Sequence, residues 1–214
     1  MAWTLQTSPG ALARTGSGTS VTPACTSTTK GTTLIAVLSS SVSGLTFTMP
    51  SGWVEAGTGL GQVQVWYYPD NPGGITSVLC QASATATLTG AIAEFSPNGA
   101  SVYANLNKTG SASSAESLTV TTSSDPSPGD LGICVFNFNV STAAAVSWTT
   151  PPDWTLIADY TTSASYHSAA YYYIGVPSDA HLAVEGEVAT EQTNLYGYVC
   201  TLSLQTGALL LSFP

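Results

Sequence analysis

Short runs in the first half of this chain recur in the same order in the second, and this duplication limits the fold more than any single residue does. Leu12-Ala13-Arg14-Thr15-Gly16-Ser17 matches Leu106-Asn107-Lys108-Thr109-Gly110-Ser111. Thr32 to Val37 resembles Gly129 to Val135, and Phe47-Thr48-Met49-Pro50-Ser51-Gly52-Trp53 corresponds to Trp148-Thr149-Thr150-Pro151-Pro152-Asp153-Trp154. Trp66-Tyr67-Tyr68 then answers to Tyr171-Tyr172-Tyr173, and the run Ala91 to Phe95 to the run Tyr196 to Cys200. The offset grows from 94 (Leu12/Leu106) to 101 (Phe47/Trp148) to 105 residues (Trp66/Tyr171) without a change of order. A doubled unit with small loop insertions drifts in this way, whereas chance matches scatter. The Ser-rich stretch from Thr109 to Glu116 reads as a loop, yet it has a counterpart at Thr15 to Thr22 and so belongs to the second copy. The join falls near Pro97-Asn98-Gly99, giving copies at residues 1–98, with an N-terminal arm, and 99–214.

Within a copy the apolar pattern has period two. Val63, Val65 and Tyr67 alternate with Gln62, Gln64 and Trp66, and Leu182, Val184 and Val188 alternate with His181, Glu185 and Glu187. That is the pattern of strands with one buried face. Turn clusters such as Pro69-Asp70-Asn71-Pro72-Gly73-Gly74 and Ser123 to Asp130 separate the runs, and no window sustains a helical stripe. The expectation is an all-β chain of two tandem duplicated β-sandwich domains, jelly-roll or Ig-like.

Composition narrows the partners. Three basic residues stand against twelve acidic ones, a formal charge of -9. No nucleic acid and no anionic membrane is therefore an expected partner, because both require clustered Lys or Arg. Charged residues are 7% of the chain, against about 25% in an ordinary domain. Ser and Thr, at 59 residues, take their place on the surface. The N-terminal residues lack the basic and apolar regions of a secretory leader. Cys25, Cys80, Cys134 and Cys200 form no Cys-x-x-Cys pair, and three of them sit in apolar runs as buried free thiols would. A hydroxyl-rich outer surface on a chain made in the cytoplasm suits a component of a virus particle.

Groups able to carry chemistry are sparse. Glu185 and Glu187 share a strand face with His181, and Glu191 follows. Paired carboxylates can serve glycoside hydrolysis or bind calcium, but a solvated outer face explains them more simply, and the first copy places Gln81 near Glu185. Asp70-Asn71-Pro72-Gly73-Gly74 reads as turn chemistry rather than a calcium loop. No nucleophile elbow occurs, and His167 and His181 lack matched histidines. The expectation is a non-enzyme with no catalytic residue, metal or cofactor. Trp53 and Trp154, present in both copies, read as structural plugs, with sugar stacking as the rival. Trp66, Tyr171 and Tyr173 are candidate interface or glycan contacts, since consecutive tyrosines on a strand must turn at least one ring outward. Arg14 and Lys108 coincide in the repeat and are candidate paired anchors.

The segment from Lys30 to Val37, the Pro50-Ser51-Gly52-Trp53 turn, and their echoes Gly129-Asp130-Leu131 and Pro151-Pro152-Asp153-Trp154 resemble β-sandwich modules of tailed-bacteriophage structural proteins, found in head decoration and minor tail proteins. The resemblance spans nearly the whole chain and brings no catalytic motif. It implies a virion protein on the particle surface that grips the major capsid protein and neighbouring copies of itself, as a homotrimer at a capsid three-fold position. The function expected is that of a capsid decoration or cement protein that stabilises the head. The alternative is a minor tail protein or adhesin binding host-surface carbohydrate. With so few Lys and Arg, salt bridges cannot be the main grip. The N-terminal arm, Met1 to about Ser20, is the segment expected to reach a neighbour.

Overall fold

The computed structural model describes residues 2–7, 9–10, 12–57, 62–96, 101–139, 148–160, 166–177 and 181–205. The first half contributes β1 (Thr4–Thr7), β2 (Ala13–Val21), β3 (Thr33–Ser40), β4 (Phe47–Thr48), β5 (Val54–Glu55), β6 (Val63–Tyr68) and β7 (Cys80–Ser96). The second contributes β8 (Ser101–Thr121), β9 (Leu131–Asn139), β10 (Trp148–Thr149), β11 (Thr155–Tyr160), β12 (Tyr166–Ile174) and β13 (Ala183–Gln205). No helix occurs among the described residues. The chain is all-β, as the period-two pattern requires.

Each half builds one antiparallel sheet. The order is β1-β7-β3-β6-β5 in the first, with β2 and β4 also on β7, and β10-β13-β9-β12-β11 in the second, with β8 on β13. The central strands correspond, β3 with β9, β6 with β12 and β7 with β13, while β1 has no counterpart among the described strands of the second sheet. Backbone punctuation corresponds too. Gly31 and Gly129, Gly52 and Asp153, and Asp70 and Gly175 are three matched pairs of positive-φ residues. The corner hydrogen bonds repeat as well: Gly31 N–H donates to Asn71 O and Gly129 N–H to Val176 O, at 2.8 and 3.4 Å.

The long strands β7 and β13 make each sheet bury both of its faces. All eight residues of β3 are buried, which alternation alone does not anticipate. Ile35 and Val37 face one apolar cluster, while Leu34, Ala36 and Leu38 face another. The second cluster is private to the first half and is closed over by Val21, Phe47, Cys80 and Leu88. A corresponding private cluster in the second half gathers Phe136, Phe138, Leu195 and Val199. The third lies between the sheets, where Ile35, Val65, Tyr67 and Phe95 meet Ile133, Val135, Tyr198 and Leu202. The two halves therefore share an interior. The join expected near Pro97-Asn98-Gly99 lies outside the described residues.

Three sequence expectations change here. Far from forming a reaching arm, the N-terminal segment is stitched into the sheet: β1 and β2 pair with β7, and Trp3 is 1% exposed in the shared core, edge-on to Phe95. The Ser-rich stretch Thr109 to Glu116 is strand, part of β8 along β13. The register of the repeat also moves. Arg14 faces Thr89 and Lys108 faces Val199. With β7 matched to β13 through Phe95/Thr33 and Leu202/Leu131, Arg14 corresponds to Ser111, three residues from Lys108. The Thr-Gly-Ser match was a low-complexity coincidence. Likewise Gln81 faces Thr48 and Glu187 faces Thr149, so Gln81 answers to Glu187, and Glu185 answers to Leu79.

Polar groups also bridge the sheets. Ser39 and Thr89 hydroxyls are 2.6 Å apart and Thr89 and Ser168 hydroxyls 2.9 Å. The Asn137 amide donates to Ser40 O and Gln62 O at 3.2 and 3.1 Å. These bonds offset the cost of burying hydroxyls and amides away from water. All four cysteines are free thiols, and Cys80, Cys134 and Cys200 are buried.

Candidate functional site

Tyr171, Tyr172 and Tyr173 alternate faces along β12. Tyr172 points to the shared core beside Phe95, centroids 5.2 Å apart. Tyr171 points the other way and is 1% exposed within the second half's private cluster. Burial pushes its hydroxyl well above the usual tyrosine range. As a surface contact Tyr171 is thus excluded: the outward ring required by three consecutive tyrosines is not this one. Trp66 occupies the matching place in the first half, half-buried, its Nε1 donating to Gln64 Oε1 at 3.2 Å.

Tyr173 remains available. It is half-buried and stands edge-on to Trp154, centroids 5.8 Å apart. Together they line a groove of about 470 Å³ whose other walls include Pro151, Asp153, Thr119, His181 and Glu185. Strand β13 presents Glu185 outward, with exposed His181 just before it, while Leu182 and Val184 face the core. Glu185 is exposed, as the outer-face reading requires, and His181 Nε2 lies 3.6 Å from Asp125 Oδ1. No Lys or Arg lines the groove among the described residues.

The first half carries the matching turn. There Trp53 pairs with Tyr68 at 5.6 Å, as Trp154 pairs with Tyr173. However, Gly52 sits at φ 94° under the Tyr68 ring, and a Cβ on it would lie 2.6 Å from Tyr68 Cζ. Asp153 occupies that place in the second half at φ 66°. A side chain there would meet the ring as it lies in the first half, and it is at this turn that the second half carries the groove. Trp154, 7% exposed in the second half's core, fills the structural place its repeat position implies, while the Gly52/Asp153 difference is visible in the aligned turns but carries no signal of its own there.

The remaining candidates lie apart from the groove. Arg14 stacks its guanidinium 5.0 Å over the Tyr160 ring, a cation–π contact joining β2 to β11. Lys108 is exposed on β8. Asn71 is fully buried, accepting from Gly73 N–H at 2.8 Å and donating to Thr32 O at 2.9 Å, which spends the Asp70-to-Gly74 turn on backbone bonding. His167 is buried and stacked on Phe138 at 4.8 Å.

Two buried carboxylates escaped the sequence reading. Glu94 accepts from Thr29 N–H and the Thr32 hydroxyl, both at 2.7 Å. Asp130 accepts from the Ser203 hydroxyl at 2.6 Å and Ser127 N–H at 3.1 Å. Each anchors the corner before β3 or β9 through hydroxyl and amide donors. Burial, at 1% and 2% exposure, leaves them closed to substrate. Among the described residues no cluster of His, Cys, Asp and Glu is arranged to hold a metal.

In comparisons with protein-family models, with curated proteins and with solved structures, nothing matches this chain.

Proposed function

We propose that this chain is a non-enzymatic virion structural protein, a duplicated pair of β-sandwiches that decorates the outer capsid of a tailed phage and cements the head. In this role it holds the major capsid protein and neighbouring copies of itself in a homotrimer. The observation that carries the proposal is the open edge of the second sheet. Among the described residues strand β11 pairs with β12 on one side only; it presents Leu156, 40% exposed, and carries a single charge, Asp159. Such an edge receives a strand of a neighbouring protein through main-chain bonds, with apolar contacts beside them and little dependence on salt. The continuous shared core suits a cement, and the burial of Glu94 and Asp130 suits a protein without a reaction.

The test is binding of the purified protein to phage heads that lack it, read by sedimentation and by electron microscopy of the decorated particle. Wild-type protein is expected to occupy regular outer sites at low and high salt, and Leu156→Lys to bind at least tenfold more weakly. Absence of the protein from particles, or full binding by Leu156→Lys, refutes the proposal.

A further inference from the structure

We infer that the groove beside Tyr173 is a binding subsite for a neutral pyranose, one sugar residue of a glycan. Its size falls within the range of about 300–1,000 Å³ typical of small-molecule sites. The chemistry of its walls selects the ligand. Half-buried Tyr173, with the exposed Pro152 and Pro177 and backed by the buried Trp154, supplies an apolar wall against which the C–H face of a sugar ring packs. Glu185 and Asp153, in the same lining, offer carboxylate oxygens, which accept hydrogen bonds from ring hydroxyls, and charge-assisted bonds of this kind are the stronger ones. An amphipathic ring with hydroxyls on its rim satisfies both at once. A purely apolar ligand leaves two carboxylates desolvated without partners. An anionic ligand meets two like charges with no Lys or Arg to balance them.

The comparison between halves is an independent support. At the matched positions the first half has Gly52 under the Tyr68 ring and Leu79, 47% exposed, where the second half has Asp153 and Glu185. The residue of the turn and the residue of the strand thus differ together, on two separate elements. The assignment does not depend on the capsid role, since a glycan subsite is compatible with a protein bound to a head or to a tail.

A glycan array carrying neutral, amino and acidic saccharides, followed by tryptophan-fluorescence titration of any hit, tests the inference on the full chain. Saturable binding is expected for a neutral saccharide and none for its sulfated or sialylated counterparts. Glu185→Gln, at an exposed position that leaves the fold intact, is expected to weaken binding about five- to tenfold. Asp153→Gly is expected to abolish it, because Tyr173 then closes over the turn as Tyr68 does, while the urea midpoint stays the same or rises. No saturable saccharide binding overturns the inference. So does equal binding by both variants, or binding of only tetramethylammonium or a proline-rich peptide.

Discussion

Replacing Trp3 with alanine removes a ring that the sequence places in a polar arm and the structure places in the shared core. A buried indole takes about 150–250 Å² out of water, worth about 4–6 kcal/mol at 25 cal/mol per Å². That figure is an upper bound, because unfolded chains bury part of the same surface. The edge-on contact with Phe95, centroids 6.5 Å apart, adds about 0.5–1.5 kcal/mol. Against it stands the indole Nε1, buried with no hydrogen-bond partner among the described residues, which costs about 1–3 kcal/mol. The net expectation for Trp3→Ala is a loss of about 3–4 kcal/mol. Trp3→Phe keeps most of the apolar contact and removes the orphaned N–H, so it should lose less than about 1.5 kcal/mol. Urea unfolding followed by circular dichroism at constant m-value measures both. A loss below about 1 kcal/mol for Trp3→Ala refutes the reasoning and returns the N-terminal strands to the status of a detachable arm.

Two further outcomes follow from local geometry and ionisation. Gly52→Ala places a methyl 2.6 Å from Tyr68 Cζ at φ 94° and should cost about 2–4 kcal/mol; urea midpoints of Gly52→Ala with and without Tyr68→Ala check it, and the second change should recover part of the loss. Burial pushes the Cys80 and Cys200 thiols from 9.0 up to about 12, and the Tyr166 hydroxyl from 10.0 up to about 12. Above pH 9 the unfolded chain releases protons that the folded chain keeps, so the unfolded state binds fewer protons and stability falls as pH rises. Stability should therefore be flat for these groups below pH 9 and fall by up to about 1.4 kcal/mol per group per pH unit between 9 and 12. Urea midpoints at pH 8 and 10.5 that coincide would contradict this linkage.

Strand content was legible because alternation of Val, Ile and Tyr with polar residues is a local signal, and the outer-face placement of Glu185 and Glu187 followed from it. The Trp53/Trp154 and Trp66/Tyr171 equivalences were legible as well, since bulky aromatics beside Pro turns are rare enough to align. What failed were the segments built of Ser, Thr and Gly. In β2 and β8 those residues carry no apolar register, and the similarity of Leu12 to Ser17 with Leu106 to Ser111 misled by three positions. The face taken by each tyrosine of β12 depended on β12 pairing with β9 through Tyr172/Ile133, a long-range fact. Burial of Glu94 and Asp130 was invisible, because a carboxylate satisfied by hydroxyls and amides leaves no partner cation in the sequence. The groove lies at a single differing turn residue, Gly52 against Asp153, whose effect is steric and appears only once the Tyr68 ring is in place.

The cluster between the sheets is lined from both sides by matched residues: Ile35 with Ile133, Val37 with Val135, Tyr67 with Tyr172, Phe95 with Leu202. Self-complementary contact of one patch with its own copy is how two-fold dimers associate, and the packing of these two sheets has the same form within one chain. Tethering raises the local concentration of one half around the other and removes any dilution limit on the pairing. It also frees the outer surfaces from identity. A true homodimer repeats every surface residue, whereas here Asp153 and Glu185 line the groove of the second half and Gly52 and Leu79 stand at the matched positions of the first.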